Sequence, residues 1–371
     1  MQQFDIAIVG AGFAGLNLAH ATAAQGLDVA VVDKRTTCPD IFRAEKIEPD
    51  QASVMRDLGT LQFRSPKCEP IGKTLRISGG NVSEVDTVEQ YGISYSDTIN
   101  SLRDNLPSEV TCIHETASEI VPGDVARIVL SNGEEVVARL VVLACGDYNK
   151  LIGAIGIPRQ QHDDLVSLSF GFDIRRQDGL DFDFNGLNYF LPDMPNGVQY
   201  LTVFPIGSRM RVNLFTRMRR SDPLATSLRQ DTLATLNKLF PDLPGYLGDV
   251  VLDSRVQVMP TTYYRLEEQV LPAVVVVGDA FQSVSPATGS GLSKVLIDVQ
   301  TLSEDFIPRW RNQRVISADD VAAYYRNRCK VDSDRNSLKS WFYEDYGSQE
   351  RPPLLTRVRR FVQLSLRFGS P

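Results

Sequence analysis

Short unbroken apolar runs along this chain alternate with longer stretches whose apolar residues recur every three or four positions. Phe4 to Val9 is one such run, closed by glycine, and reads as a strand buried on both faces. An Ala- and Leu-rich helical stretch follows to about Gln25, then a second apolar strand, Asp28 to Val32, ending at Asp33. Arg139 to Leu143 and Ala273 to Val277 repeat the buried-strand pattern, and Leu292 to about Asp305 reads as helix. From about Leu165 to Met218 the period changes to two. Val198, Tyr200, Thr202 and Phe204 alternate with Gln199, Leu201 and Val203, and Arg211, Asn213, Phe215 and Arg217 share one face of the next run. Thr226 to Phe240 reads as a helix ended by a Pro- and Gly-containing turn. Asp319 to Tyr346 is a charged, Tyr-rich helical stretch. Beyond it Leu354, Val358, Phe361 and Val362 share one helical face, with Arg357, Arg360 and Arg367 on another.

Strands alternating with helices at both ends, around a period-two middle, predict an α/β chain carrying an antiparallel sheet. A length of 371 residues suits two compact units, and 43% hydrophobic residues provide a sizeable core. The net charge of -7 argues against a nucleic-acid-binding surface. Five cysteines lie far apart with no C-x-x-C pair, which fits reduced thiols in the cytoplasm. The three histidines show no metal-ligand spacing, so no metal is expected. No apolar run approaches the ~20 residues of a membrane span, and the chain moves straight into a strand, without a signal-peptide pattern. The basic helix at 354–368 is expected to dock on the protein itself, in preference to a membrane surface or a partner.

The chemistry concentrates in glycine-containing turns. Gly10-Ala11-Gly12-Phe13-Ala14-Gly15 stands between the first strand and its helix, with Asp33-Lys34 closing the second strand. In that context G-x-G-x-x-G marks a dinucleotide site: Gly10 for the tight turn, Gly12 for backbone approach to a pyrophosphate, Gly15 for close helix packing. Asp33 would accept from ribose hydroxyls. The motif does not choose between FAD and NAD. A second site follows the Ala273–Val277 run: Gly278-Asp279-Ala280, then a loop containing Pro286, Gly289 and Gly291. A carboxylate ending a parallel strand points into the crevice where such sheets bind ligands.

Gly278-Asp279-Ala280 and Pro286-Ala287-Thr288-Gly289-Ser290-Gly291, together with the N-terminal fingerprint, resemble the flavoprotein aromatic hydroxylases of the para-hydroxybenzoate hydroxylase type. The resemblance extends to about residue 345. It implies a glutathione-reductase-like, Rossmann-type FAD domain, a β-sheet substrate domain and C-terminal helices. Asp279 would bind the ribityl chain and the Pro286–Gly291 loop would lie against the isoalloxazine. Arg43, in Phe42-Arg43-Ala44-Glu45-Lys46-Ile47, would reach the pyrophosphate. The implied division is 1–70, 92–160 and 255–306 for FAD, 71–91 and 161–254 for the sheet, and 307–371 for the C-terminal helices. The sheet would roof the flavin, with Tyr189, Tyr200, Phe204, Arg211 and Asn213 as pocket candidates.

Two departures stand out. Phe281-Gln282 occupies the place of the family's usual His. Cys145 stands where the family's Asp-Gly carboxylate would be, with Asp147 displaced by two. Cys145 reads more readily as a structural thiol than as a reactive one. The implied reaction is hydroxylation of an aromatic small molecule by dioxygen through a flavin hydroperoxide, with NAD(P)H as transient reductant; the sequence names no catalytic side chain. Three rivals share the fold: a reductase of prenyl chains, a halogenase (whose Trp-x-Trp-x-Ile-Pro motif is absent here), and a non-catalytic flavin binder.

Overall fold

The computed structural model describes residues 3–337, apart from 148, 192–194 and 268–269. Gln3–Val9 is the central strand of a parallel array, paired with Val29–Val32 on one side and Glu135–Leu143 on the other. Val110–Ile113 extends the array beyond Val29–Val32. Ile6, Ala7 and Ile8 are buried on both faces, which is why this segment is an unbroken apolar run. The long Glu135–Leu143 strand serves two neighbours along one edge. Its first half pairs antiparallel with Ala126–Leu130, and its last three residues pair parallel with Val274–Val276.

Register decides where the loops converge. Val9 lies opposite both Val32 and Leu143, and Leu143 lies opposite Val276. Gly10, Asp33, Ala144 and Gly278 therefore leave the sheet near one edge, the carboxyl edge at which open α/β sheets bind ligands. Helices Phe13–Ala23 and Ser290–Gln300 start from this edge and pack on each other.

The second sheet is mainly antiparallel. Its order runs Gln282–Ser283, Gln257–Leu266, Arg159–Arg176, Arg209–Thr216, Val198–Ile206, Gly186–Phe190, Lys73–Ser78, Asn81–Asp86. The last two form a hairpin turning at Gly79 and Gly80, both at positive φ (55° and 79°), as a two-residue turn between twisted strands requires. One face of this sheet builds a second core from Phe170, Leu187, Leu201, Val203, Val212 and Leu214. A small sheet of Lys46–Ile47, Glu69–Pro70 and Tyr91–Gly92 joins the two units. Gly92 approaches so closely that a Cβ there would lie 1.9 Å from the Pro205 carbonyl oxygen.

Two local expectations change. The helix expected over 226–240 is two helices, Pro223–Gln230 and Thr232–Leu239, interrupted at Asp231, whose backbone is non-helical (φ -139°, ψ 71°). Asp favours such breaks because its side chain competes for nearby backbone groups. Val198 was expected on the face of Tyr200 and Thr202 but packs into the second core. A bulge between Val198 and Tyr200 shifts the register by one residue, and a one-residue slip turns a side chain to the other face. At the C-terminal end, Ala318–Tyr325 is helical, as are residues 328–337. The expected basic helix at 354–368 lies outside the described residues. No described helix is long and apolar enough to cross a membrane.

Candidate active site

The three motif glycines meet three different surroundings. A Cβ on Gly10, at φ 108°, would lie 2.6 Å from the Ala144 carbonyl oxygen, and one on Gly15 would lie 1.9 Å from the Gly10 carbonyl oxygen. Both positions are closed by the protein's own backbone. Gly12 is open: the nearest atom to its added Cβ is the Tyr95 hydroxyl, at 3.8 Å. Gly12 also starts the Phe13–Ala23 helix with no side chain capping it, so the first-turn N–H groups are free to meet an anion. Asp33 closes the turn. It accepts from Ala11 N–H through one oxygen and from Arg35 N–H through the other, both at 2.8 Å. Lys34 is exposed, whereas Phe13 and Ala14 are buried.

Arg43 draws the separate motifs together. Its guanidinium lies 3.8 Å from Asp279 and 3.9 Å from Asp147, so the segments after the second, fourth and fifth strands of the array meet in one place. Burial pushes the Asp279 carboxyl pKa up, with Arg43 and Lys294 opposing. The Tyr95 phenol is pushed up to about 12 by burial, with Arg43 pulling it back; it therefore stays protonated and can donate. Tyr264 donates to the Asp279 carbonyl oxygen at 2.6 Å beneath the Arg159 guanidinium, which sits 3.2 Å from its ring centre. Tyr95 and Tyr264 carry no sequence motif, so pattern alone did not single them out.

The Pro286–Gly291 loop is held from both sides. Gln51 Nε2 donates to the Gly289 carbonyl oxygen at 3.3 Å and to Ser293 Oγ at 2.9 Å. From the second sheet, the Tyr200 hydroxyl donates to the Ala287 carbonyl oxygen at 2.8 Å. Gly289 itself has φ 65°, a left-handed conformation that favours glycine. A cavity of about 800 Å³ runs from Arg43, Tyr95 and Asp279, past this loop, to the second sheet.

The sheet roofs that cavity with ordered rows. Strand pairing sets Phe190 opposite Tyr200 and Tyr200 opposite Phe215; their rings stack at 4.9 and 4.8 Å. The next row is polar, with Asn188 opposite Thr202 and Thr202 opposite Asn213. All six side chains line the cavity, as do Phe204 and Lys46. The Lys46 ammonium sits 4.8 Å from the Phe204 ring centre, and burial lowers its pKa.

Of the pocket candidates, Tyr200, Phe204 and Asn213 face this cavity. Tyr189 does not. It points to the opposite face, into the second core, edge-on to Phe240 at 5.1 Å, because its parity along the strand is opposite to that of Asn188 and Phe190. Arg211 does not line this cavity either; held by its ion pairs, it lines a second cavity of about 560 Å³. It binds Glu45 at 2.8 Å, Gln257 at 2.6 Å and Asp173 at 3.2 Å. Glu45 and Tyr95 line both cavities. Burial pushes the Glu45 carboxyl up to about 7 against the pull of Arg211.

A sequence model described as an FAD binding domain matches residues 3–328. The chain belongs to that family. Among curated relatives of this FAD-binding protein, it is 27% identical over 161 residues to the "FAD-dependent monooxygenase DEP2" of Fusarium langsethiae, spanning 40% of this chain and 31% of that protein. The chain thus covers about a third of that relative's length. It is 25% identical to "Digeranylgeranylglycerophospholipid reductase 1" of Methanopyrus kandleri, over 88% of this chain and 84% of that protein. Solved structures share the fold. The "flavin-dependent brominase Bmp2" superposes with TM-score 0.71 at 16% identity, covering 100% of this chain and 94% of that one. "p-nitrophenol 4-monooxygenase PnpA" from Pseudomonas putida DLL-E4 superposes with TM-score 0.70 at 17% identity, over 99% and 95%.

The residues fit FAD. The open face of Gly12, the uncapped helix beside it and Arg43 suit a pyrophosphate, while Asp33 retains lone pairs for a ribose. Cys145 sits at the same edge. Burial pushes its thiol up to about 11, which disfavours the reactive thiolate in this FAD-binding protein. Iodoacetamide at pH 8 is expected to alkylate Cys145 roughly tenfold or more slowly than exposed Cys329; equal rates by mass spectrometry would refute this. The nearby carboxylate is Asp147, which faces Arg43.

One cluster beside Gly278 was not singled out from the sequence. Lys294, Asp298, Lys330 and Asp334 are all buried. Lys294 contacts Asp298 at 2.9 Å and Asp334 at 3.3 Å, and Lys330 contacts Asp298 at 2.7 Å and Asp334 at 3.3 Å. Asp298 also accepts from Gly278 N–H at 2.8 Å. The available signal was two Lys-x-x-x-Asp pairs on helical stretches, a spacing that ordinarily marks a solvated helix face.

Proposed function

We propose that this protein is a FAD-dependent monooxygenase that hydroxylates an aromatic small molecule, using NAD(P)H as reductant. The carrying observation is that one cavity joins the flavin-family segments (Arg43, Asp279 and the Pro286–Gly291 loop) directly to an aromatic and polar roof. A ring held against Phe190, Tyr200 and Phe215 lies between roof and flavin site. Bound FAD supplies the chemistry by which dioxygen gives one atom to the ring and the other to water, at the expense of one NAD(P)H and one proton.

The protein's part is position, water exclusion and proton handling. The aromatic row and Phe204 exclude water from the roof. Tyr200 ties that roof to the loop at Ala287, so substrate and flavin sites share one rigid frame. Glu45, which titrates near neutrality between the two cavities, is placed to hold or release a proton beside Asn213.

The prenyl-reductase reading has support from the Methanopyrus kandleri relative. The polar row of the roof weighs against it, because an isoprenoid chain would leave Asn188 and Asn213 facing hydrocarbon without partners. Oxygen consumption with NADH or NADPH decides between them. Consumption that depends on a phenolic or heteroaromatic compound, with one hydroxylated product per oxygen, is expected. Its rate should bend near pH 7, and the bend should vanish in Glu45→Gln. Saturation of an isoprenoid lipid without oxygen uptake would overturn the reading. So would a flavin that neither nicotinamide bleaches anaerobically across a broad aromatic panel.

A further inference from the structure

Two acceptors in the roof have no hydrogen-bond partner among the described residues: Asn188 Oδ1 and Asn213 Oδ1. Both atoms are buried, both residues line the 800 Å³ cavity, and Asn213 as a whole is 5% exposed. A buried carbonyl without a donor costs about 1–3 kcal/mol, so native proteins seldom leave one idle. Asn213 Oδ1 and Asn188 Oδ1 both belong to side chains of the cavity wall, so a ligand there can supply the missing donors. Thr202, 6% exposed, stands between the two asparagines in register, and its hydroxyl can donate or accept.

The strand geometry also sets a distance. Neighbouring strands lie about 4.8 Å apart, so Asn188 and Asn213, one strand to either side of Thr202, are separated by roughly 10 Å. Side chains on one face of a sheet rise nearly parallel, and each O–H···O bond spans about 2.8 Å. That leaves roughly 4 Å between the two donor atoms of a ligand bridging them. Adjacent substituents of one ring are closer than this and opposite ones are farther apart, whereas substituents in 1,3 relation come nearest to it.

Resting on the hydroxylase reading above, we propose that Asn188, Thr202 and Asn213 read the substrate, selecting a ring with hydrogen-bond donors in 1,3 relation. The aromatic row takes the ring face and the polar row takes its edge. A ring with one donor leaves one asparagine unsatisfied, and a ring with two adjacent donors reaches only one.

The test is titration of the purified holoenzyme, followed by perturbation of the flavin absorbance, so turnover is not required. The probes are phenol, the 1,2-, 1,3- and 1,4-dihydroxybenzenes, and the 1,3- and 1,4-dimethoxybenzenes. The 1,3-diol is expected to bind at least about tenfold more tightly than phenol, the 1,2-diol or either ether. Asn188→Leu is expected to erase that preference while weakening phenol little. Asn213→Ser should weaken the preferred diol as well. Equal affinity across the diols and ethers, or an unchanged preference in Asn188→Leu, would overturn the assignment while leaving the hydroxylase reading intact. A panel in which no ring perturbs the flavin and an isoprenoid lipid does would overturn both.

Discussion

Gly12→Ala is expected to leave the protein folded but empty of flavin, whereas Gly15→Ala is expected to disrupt the fold itself. The contrast follows from what each new methyl group meets. At Gly15 the Cβ falls 1.9 Å from the Gly10 carbonyl oxygen, a backbone atom that can move only by pulling the first strand away from its helix. Overpacking of this severity costs about 3 kcal/mol or more. At Gly12 the backbone is extended (φ -91°, ψ -168°), so alanine is unstrained, and nothing lies within 3.8 Å of the added carbon. The methyl group would occupy the face on which a pyrophosphate approaches the free N–H groups of the helix. The apo Gly12→Ala protein should therefore melt within roughly 2 °C of the wild-type apo protein. It should purify without the yellow colour, with FAD affinity reduced roughly a hundredfold or more, as expected from loss of several charge-assisted N–H contacts. Absorbance at purification and titration with FAD read the result. A Gly12→Ala protein with full flavin occupancy would show that the open face is not the cradle.

The same contrast shows what was legible beforehand. Roles assigned to Gly10, Gly15 and Asp33 depend on a local strand, turn and helix, which the hydrophobic pattern already specifies, and the structure encloses those glycines accordingly. The convergence of Arg43 on Asp279 was reachable only through resemblance, since nothing in the spacing of two residues so far apart states that they meet. The roof was legible as a face but not as a direction. Tyr200, Thr202 and Asn213 do share one side, yet Tyr189 was placed with them because parity on one strand cannot be carried to another without register. The pairing of Asn188 with Thr202 settles that register, and it puts Tyr189 in the opposite core. Val198 failed for a related reason: a bulge inserts one residue, and no residue type there announces it. The buried charges were least legible. Two i, i+4 pairs look like any solvated helix surface until tertiary packing closes over them.

Those buried charges yield the second large effect. Lys330→Met is expected to destabilise the protein by about 3–5 kcal/mol, because it leaves two carboxylates buried against a single ammonium. The four groups form a buried, neutral set of two cations and two carboxylates. Removing a whole pair is a different matter. Lys330→Met combined with Asp334→Leu leaves Lys294 and Asp298 to neutralise each other, and should recover most of the loss, since an apolar pair of similar volume often replaces a buried ion pair at little cost. The acid dependence has a definite sign. Burial disfavours the Asp298 carboxylate, but Lys294 and Lys330 outweigh it and hold its pKa below the usual value. Its contribution is therefore complete above the unfolded carboxylate pKa, about 3.9, and is lost as pH falls through the lower folded value. Lys330→Met removes one of the two cations responsible, so the folded pKa rises and acid unfolding begins at a higher pH than in the wild type. Thermal melts across pH 3–7 read both effects, with a drop in Tm of roughly 4–6 °C expected for Lys330→Met at pH 7. An unchanged Tm and acid midpoint would mean that the quartet is solvated in solution. Because Asp298 also holds Gly278 N–H at 2.8 Å, the Gly278–Ala280 turn shares this foundation. Asp298→Asn, which keeps an acceptor but removes its charge, should then weaken FAD binding as well as stability, whereas the restoring Lys330→Met/Asp334→Leu pair should weaken it little. Equal flavin affinity in all three proteins would separate the quartet's stabilising role from any hold on the turn.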